Sequence, residues 1–186
     1  AATAEVAKLA ENTFRDVNIA FANQLALICE RYGVDVKKVI ELANTHPRVA
    51  IHAPGPGVGG PCLPKDPYLL ISGIKPGRVD IVRVARRVND RMPKHTVKLV
   101  VEALKAVGKD VKHSRIAVLG TAYKGNVGDF RLSPSEPIIR TLLSLGAKVI
   151  VYDPYCSETF GAEKAASIKH AAEGSDCIVV VTDHSE

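Results

Sequence analysis

From Thr3 to Tyr32 the chain contains neither proline nor glycine, and apolar residues recur at 14, 17, 21, 25, 28 and 32. That spacing predicts one long α-helix, stopped by Gly33, and so commits the start of the chain to helical packing. Its second half, Ile19 to Cys29, is apolar on nearly every side, through Ala20, Phe21, Ala22, Leu25, Ala26, Leu27 and Ile28. A helix apolar all round is buried all round. This predicts packing against its own domain and against a second subunit; the central helix of a monomeric bundle would satisfy the same pattern.

Asp35 is placed to cap a shorter helix with apolar residues at 36, 39, 40 and 43, ending before His46-Pro47. Asp80 opens another, with Ile81, Val84, Ala85 and Val88 on one face, expected to run to Met92-Pro93. That proline sets the expected boundary between a helical domain, residues 1–93, and a second domain, residues 94–186. Beyond it a helix near 94 to 107 leads to Arg115-Ile-Ala-Val-Leu-Gly120, a short apolar run that reads as a buried strand. A helix from about Pro134 to Leu145, a strand from Lys148 to Tyr152, a helix near 165 to 173 and a strand from Cys177 to Thr182 follow. The fold class expected is α/β: an all-helical domain, then a small Rossmann-like parallel sheet of three strands. Three strands are few for such a sheet, and the expectation is that the second domain is incomplete.

Hydrophobic residues make up 46% and charged residues 24% of the 186, the balance of a globular chain. The net charge of +5 suits phosphate-bearing ligands. It is spread without a basic tract, and aromatics are 5% with no Trp, which argues against nucleic acid. Cys29, Cys62, Cys156 and Cys177 lie far apart and form no Cys-x-x-Cys pair, as a reduced, cytoplasmic setting would have it. No apolar run approaches the roughly 18 residues of a membrane span. The opening Ala-Ala-Thr-Ala-Glu lacks the basic flank and apolar core of an export signal. The six histidines show no metal-ligand spacing, so no metal is expected.

Residues 54 to 67, Pro-Gly-Pro-Gly-Val-Gly-Gly-Pro-Cys-Leu-Pro-Lys-Asp-Pro, form a loop built to hold a shape. Glycines 55, 57, 59 and 60 permit close backbone approach to a ligand, while its prolines restrict the unfolded chain. Cys62 sits inside it, next to Lys65 and to the first turn of a helix opening at Asp66-Pro67, both of which favour a thiolate. Cys62 is thus either a chemical thiol or an inert, buried one. Gly55-Pro-Gly-Val-Gly-Gly60 matches the dinucleotide fingerprint by letter, but neither a strand before it nor a helix after it is expected, which argues against pyrophosphate binding there. Lys8 and Asn12 are four residues apart on the first helix and can hold an oxyanion between them, or simply form a solvated face. Asp66 can cap the helix beginning at Pro67. In the second domain, Tyr123 to Pro134 follow the carboxyl end of the first strand, the edge where parallel sheets bind ligands. Lys124, Arg131 and the free amides near Ser133 can reach phosphate there, or form a solvated loop in which Ser133 caps its helix.

Four segments in order, Lys8-Leu-Ala-Glu-Asn12-Thr-Phe-Arg15, Gly57-Val-Gly-Gly-Pro-Cys62-Leu-Pro-Lys-Asp66, Lys124-Gly-Asn-Val-Gly-Asp-Phe-Arg-Leu-Ser-Pro134 and Tyr152-Asp-Pro154, resemble the UDP-glucose/GDP-mannose dehydrogenase family. The resemblance implies oxidation of the 6-hydroxymethyl group of a nucleotide sugar to a carboxylate, with two NAD and no free aldehyde. It implies Cys62 as nucleophile, Lys8 and Asn12 steadying the oxyanion or a water, and Asp66 assisting hydrolysis. It implies substrate contacts from Gly59, Lys124 and Arg48, the last reaching across a homodimer, and a cofactor contact from Arg131. The Gly/Pro loop and the following Asp-Pro-Tyr most resemble the branch acting on UDP-N-acetylhexosamines, which favours UDP-N-acetylmannosamine over UDP-glucose. Pro61 stands where many relatives have His or Ser. The family's N-terminal NAD-binding domain is not in this sequence, so the chain by itself is expected not to turn over. A noncatalytic dimerisation and nucleotide-sugar-binding module is the other reading.

Overall fold

The computed structural model describes residues 1–75 and 77–185, which divide into two compact units, Ala1–Met92 and Pro93–Glu186.

The first unit is helical. Helix α1, Ala2–Tyr32, ends on Gly33 in the left-handed conformation at φ 65°. The N–H of Gly33 donates to the Glu30 carbonyl and that of Val34 to the Cys29 carbonyl. This paired closure needs a residue without a β-carbon penalty at its turning point. Helix α2, Val36–Ala43, starts at Asp35, whose carboxylate accepts the Lys37 N–H. Helix α3, Asp66–Leu70, packs on α1.

The apolar series read from the sequence of α1 is not the face that packs within this unit. Phe14, Phe21, Ile28 and Tyr32 are 65%, 54%, 45% and 77% exposed, whereas Asn12, Thr13, Asp16, Ala20 and Asn23 are buried. The polar side chains of Asn12, Asp16 and Asn23 can occupy the inner face because each meets a hydrogen-bond partner from elsewhere in the unit. Arg86 donates to Asp16, Asn89 donates to both the Asp16 carboxylate and its carbonyl, and Asn23 donates to Asn89.

The helix expected to stop at Pro93 does not. Helix α4, Asp80–Ala106, runs through that proline. An interior proline costs about 3 kcal/mol of helix stability. Here the buried residues keep helical spacing on both sides, at Val82, Ala85, Arg86, Asn89 and Met92 before it and Val97, Val100 and Leu104 after it, so side-chain burial outweighs the lost main-chain bond.

The second unit is a parallel sheet, β1 Arg115–Leu119, β2 Lys148–Tyr152, β3 Glu163–Lys164 and β4 Cys177–Val180, in the order β3-β2-β1-β4. The edge strand β3, which makes four strands instead of three, is two exposed residues long and carries no apolar run to reveal it. Side chains alternate across the sheet. Ile116, Val118, Val149, Val151 and Val179 face Val97, Val100 and Leu104 of α4 and Ile138, Ile139 and Leu142 of α5, Ser135–Ser144. Ala117 and Ile150 face the other way, with Ala171 of α6, Ile168–Ala172. Helices therefore cover both faces, as a parallel sheet requires, and its loops collect at the carboxyl edge.

Candidate active site

In the first unit, the Asn12 side-chain amide donates to the Asp66 carboxylate at 2.6 Å. Asp66 is the first residue of α3, and its carboxylate does not cap that helix as the sequence suggested; Lys65 holds the cap position without a side-chain bond. The carbonyl of Cys62 accepts the N–H groups of Lys65 at 2.9 Å and Asp66 at 2.8 Å. Cys62 is thereby tied into the turn that opens α3, and its side chain is exposed rather than part of the core. The structure thus gathers Asn12, Cys62 and Asp66.

The chain leading to this turn is tied to α1 and to the end of α2 by asparagines that the sequence reading passed over. Asn18 donates to the Ala50 carbonyl at 2.7 Å and accepts the His52 N–H at 2.9 Å. Asn44 exchanges two bonds with Ile51, and Asn23 accepts the Gly55 N–H at 2.8 Å. Asparagine is a poor interior helix former, so its recurrence at 12, 18 and 23 was the signal that side chains there serve a loop. Gly57 and Gly60 use positive φ, 146° and 92°. Gly59 is half-buried between them.

Lys8 lies one turn before Asn12, exposed, with its ammonium 2.9 Å from Glu11. That bond and charge hold the Glu11 carboxyl below the usual carboxylate range. Arg48 is exposed on the turn after α2, its N–H donating to the His46 ring. Burial pushes the Asp16 carboxyl up against the opposing pull of Arg86 and Asn89.

In the second unit the conspicuous group is Asp153, which the sequence reading placed only within a motif. One carboxylate oxygen accepts the N–H groups of Thr121 at 2.7 Å and Ala122 at 2.9 Å and meets His184 Nε2 at 3.1 Å. The other accepts from Tyr155 and Cys156, both at 2.8 Å. Burial works to raise this carboxyl, but the bonds from Ala122, Thr121, Tyr155 and His184 together hold it below its ordinary value. A cavity of about 230 Å³ opens beside it, lined among others by Leu119, Tyr152, Ile168, Thr182 and His184, at the carboxyl ends of β1, β2 and β4. Strand order reverses direction between β1 and β4, the place where such sheets take ligands.

Lys124 is exposed in the loop after β1. Arg131, further along that loop, is exposed and set against Asp129, which accepts from its Nε and from NH2 at 2.7 Å. The guanidinium lowers the Asp129 carboxyl. Ser133 bonds to the Ser135 hydroxyl at 2.6 Å, and Ser135 donates to the Thr121 carbonyl, so this pair ties the start of α5 to the end of β1. Among the described residues no group of histidines, cysteines and carboxylates could hold a metal ion.

Residues 2–91 match the model for the central domain of the UDP-glucose/GDP-mannose dehydrogenase family, and residues 117–186 match that for its UDP binding domain. The chain is 50% identical over 186 residues to UDP-N-acetyl-D-mannosamine dehydrogenase of Pyrococcus horikoshii, covering 100% of this chain and 43% of that protein. A solved structure of the Pyrococcus horikoshii enzyme superposes with a TM-score of 0.92, over the same shares of the two chains. That of an NDP-N-acetyl-D-galactosaminuronic acid dehydrogenase from Methanosarcina mazei superposes at 0.90 with 42% identity, covering 98% of this chain and 41% of the other. The chain thus spans less than half the length of these relatives.

Proposed function

Because the chain belongs to the UDP-glucose/GDP-mannose dehydrogenase family, we propose that it supplies the sugar-oxidising and nucleotide-binding parts of a nucleotide-sugar 6-dehydrogenase. The substrate proposed is UDP-N-acetylmannosamine, supported by the names of relatives at 50% and 46% identity. The observation that carries the chemistry is the bond from Asn12 to Asp66, one turn beyond an exposed Cys62.

NAD, when bound, would supply the hydride acceptor for each of two oxidations at the sugar's C6. On this chain only Arg131 is assigned to it. An exposed guanidinium aligned by Asp129 fits a phosphate contact, but residues 54 to 60 lie between neither strand nor helix and make no dinucleotide cradle.

The remaining steps fall to side chains. The Cys62 thiolate adds to the C6 aldehyde, forming the S–C bond while the carbonyl electron pair moves to oxygen. The Asn12 amide and the Lys8 ammonium stabilise that oxyanion, which for one well-placed donor is worth about 3 kcal/mol. After the second oxidation leaves a thioester, water attacks its carbonyl as Asp66 takes one of its protons, the C–S bond breaks to release the Cys62 thiolate, and the carboxylic acid so formed gives its remaining proton to solvent to become the carboxylate. Gly59, Arg48 and Lys124 contact the nucleotide sugar, Lys124 through its phosphates.

The exposed Phe14, Phe21 and Ile28 recur every seven residues along α1, the spacing of a helix seam. A second copy of α1 covers that seam in the proposed homodimer. No described helix is long and apolar enough to cross a membrane, and the four cysteines are unpaired, in keeping with a reducing cytoplasm.

The test is Cys62→Ala in the full-length protein, supplied with NAD and a panel of UDP- and GDP-sugars. Acid formation should vanish while binding of UDP-N-acetylmannosamine persists. Unchanged NADH production by the variant would remove Cys62 from the mechanism, and binding without oxidation by the unaltered protein would make the chain a noncatalytic module.

A further inference from the structure

We propose that His184 is a positioning residue, whose imidazole joins the three loops at the carboxyl edge of the sheet and so fixes the loop that carries Lys124 for a diphosphate ligand. This rests on the reading of the second unit as nucleotide-sugar-binding.

The ring is used on three sides. Its Nδ1 accepts the Asn126 N–H at 2.9 Å, from the loop after β1. A ring nitrogen that accepts is bare, so the proton of the neutral imidazole lies on Nε2, which donates to Asp153 after β2. The ring also lies on Tyr155, centroids 5.0 Å apart at 34°. His184 itself follows β4, and its side chain is 6% exposed between exposed neighbours Asp183 and Ser185.

Two further bonds stitch the same loops, from the Asn126 amide to the Ser185 hydroxyl at 2.8 Å and from the Ser185 N–H to the Asn126 carbonyl oxygen at 3.0 Å. The loops are in contact, since a β-carbon on Gly125 would meet the Asp183 carbonyl. Asn126 holds φ 61°, a left-handed conformation one residue beyond Gly125, two beyond Lys124. Removing the imidazole therefore releases the backbone next to the lysine. Both ring nitrogens are committed to loop bonds, which makes His184 a holder of geometry and not a proton donor to substrate.

The 186-residue chain is titrated with UDP-N-acetylmannosamine by calorimetry, while NMR follows exchange of the Asn126 amide. His184→Ala should accelerate Asn126 exchange and weaken binding, each by about tenfold or more. His184→Asn, which keeps an acceptor near the Nδ1 position, should restore most of both. Binding by His184→Ala within about twofold of wild type, or an unchanged Asn126 exchange rate, overturns the proposal. If His184→Ala does not fold, His184→Asn decides: Asn126 exchange and binding near wild type support the role, and accelerated exchange with weakened binding overturns it. A wild-type chain that fails to bind sinks the nucleotide reading and the ligand half of this proposal, and Asn126 exchange then decides whether the imidazole is the joint.

Discussion

The Asp66 carboxylate accepts its hydrogen bond from Asn12, a residue on a different helix and buried to 3% exposure. This one bond fixes the start of α3, and through it the turn of Cys62, to α1. A hydrogen bond to a charged group contributes about 1.5 to 3 kcal/mol. Asn12→Ala should lose about that much in urea unfolding, and in combination with Asp66→Ala the two losses should fall short of additive by about 1 kcal/mol. Full additivity would show that the bond does not hold the turn.

Arg86 and Asp16 form a buried ion pair, 2% and 0% exposed, with Asp90 also on the guanidinium. Arg86→Met leaves the Asp16 charge buried and unpaired, so unfolding by urea should reveal a loss of about 3 to 5 kcal/mol. Adding Asp16→Leu should recover much of it, because the uncompensated charge is gone. A double variant as unstable as the single one would place the cost in packing instead.

Asp153 has a carboxyl held below its ordinary value of 3.8. A depressed carboxyl stabilises the fold above its unfolded value, and that contribution is lost as pH falls through the lower folded value. Stability of the second unit should therefore decline as pH falls below about 4, and Asp153→Asn should be less stable at neutral pH but flatter in acid. Circular dichroism of urea unfolding across that range checks it. Equal acid slopes in the two proteins would assign the decline to other carboxylates.

Phe14 and Phe21 are exposed on α1. Replacing both with lysine should leave the unfolding free energy of the monomer within about 0.5 kcal/mol, as for surface substitutions generally, while light scattering at micromolar concentration shifts from dimer to monomer. A wild-type chain already monomeric there would contradict the proposed homodimer.

The helical first half, the Gly33 stop, the Asp35 cap and the strands flanking α5 were legible because each rests on local periodicity or a local end signal. Pro93 misled only as a helix stop, since the burial of Met92 and Val97 on either side is tertiary. The inner face of α1 was hidden for a related reason. Asn12, Asp16 and Asn23 can lie inside only because partners 54, 70 and 66 residues away meet them. Residue spacing along one helix carries no trace of such partners. At the candidate site the cysteine loop was visible from its composition. The His184 joint was not, being assembled from three loops that are distant in sequence.

Gly120 turns at φ 90° straight after β1, and a β-carbon there would collide with the side chain and the backbone nitrogen of Thr182. Even alanine at this position would act as a wedge, prising the tail of one strand from that of its neighbour. Thr182 is bonded to the Ala122 carbonyl and is followed within two residues by His184. The ligand edge of the second unit thus hangs on an atom the chain must do without, and its tolerance for sequence drift should be lowest where there is no side chain to vary.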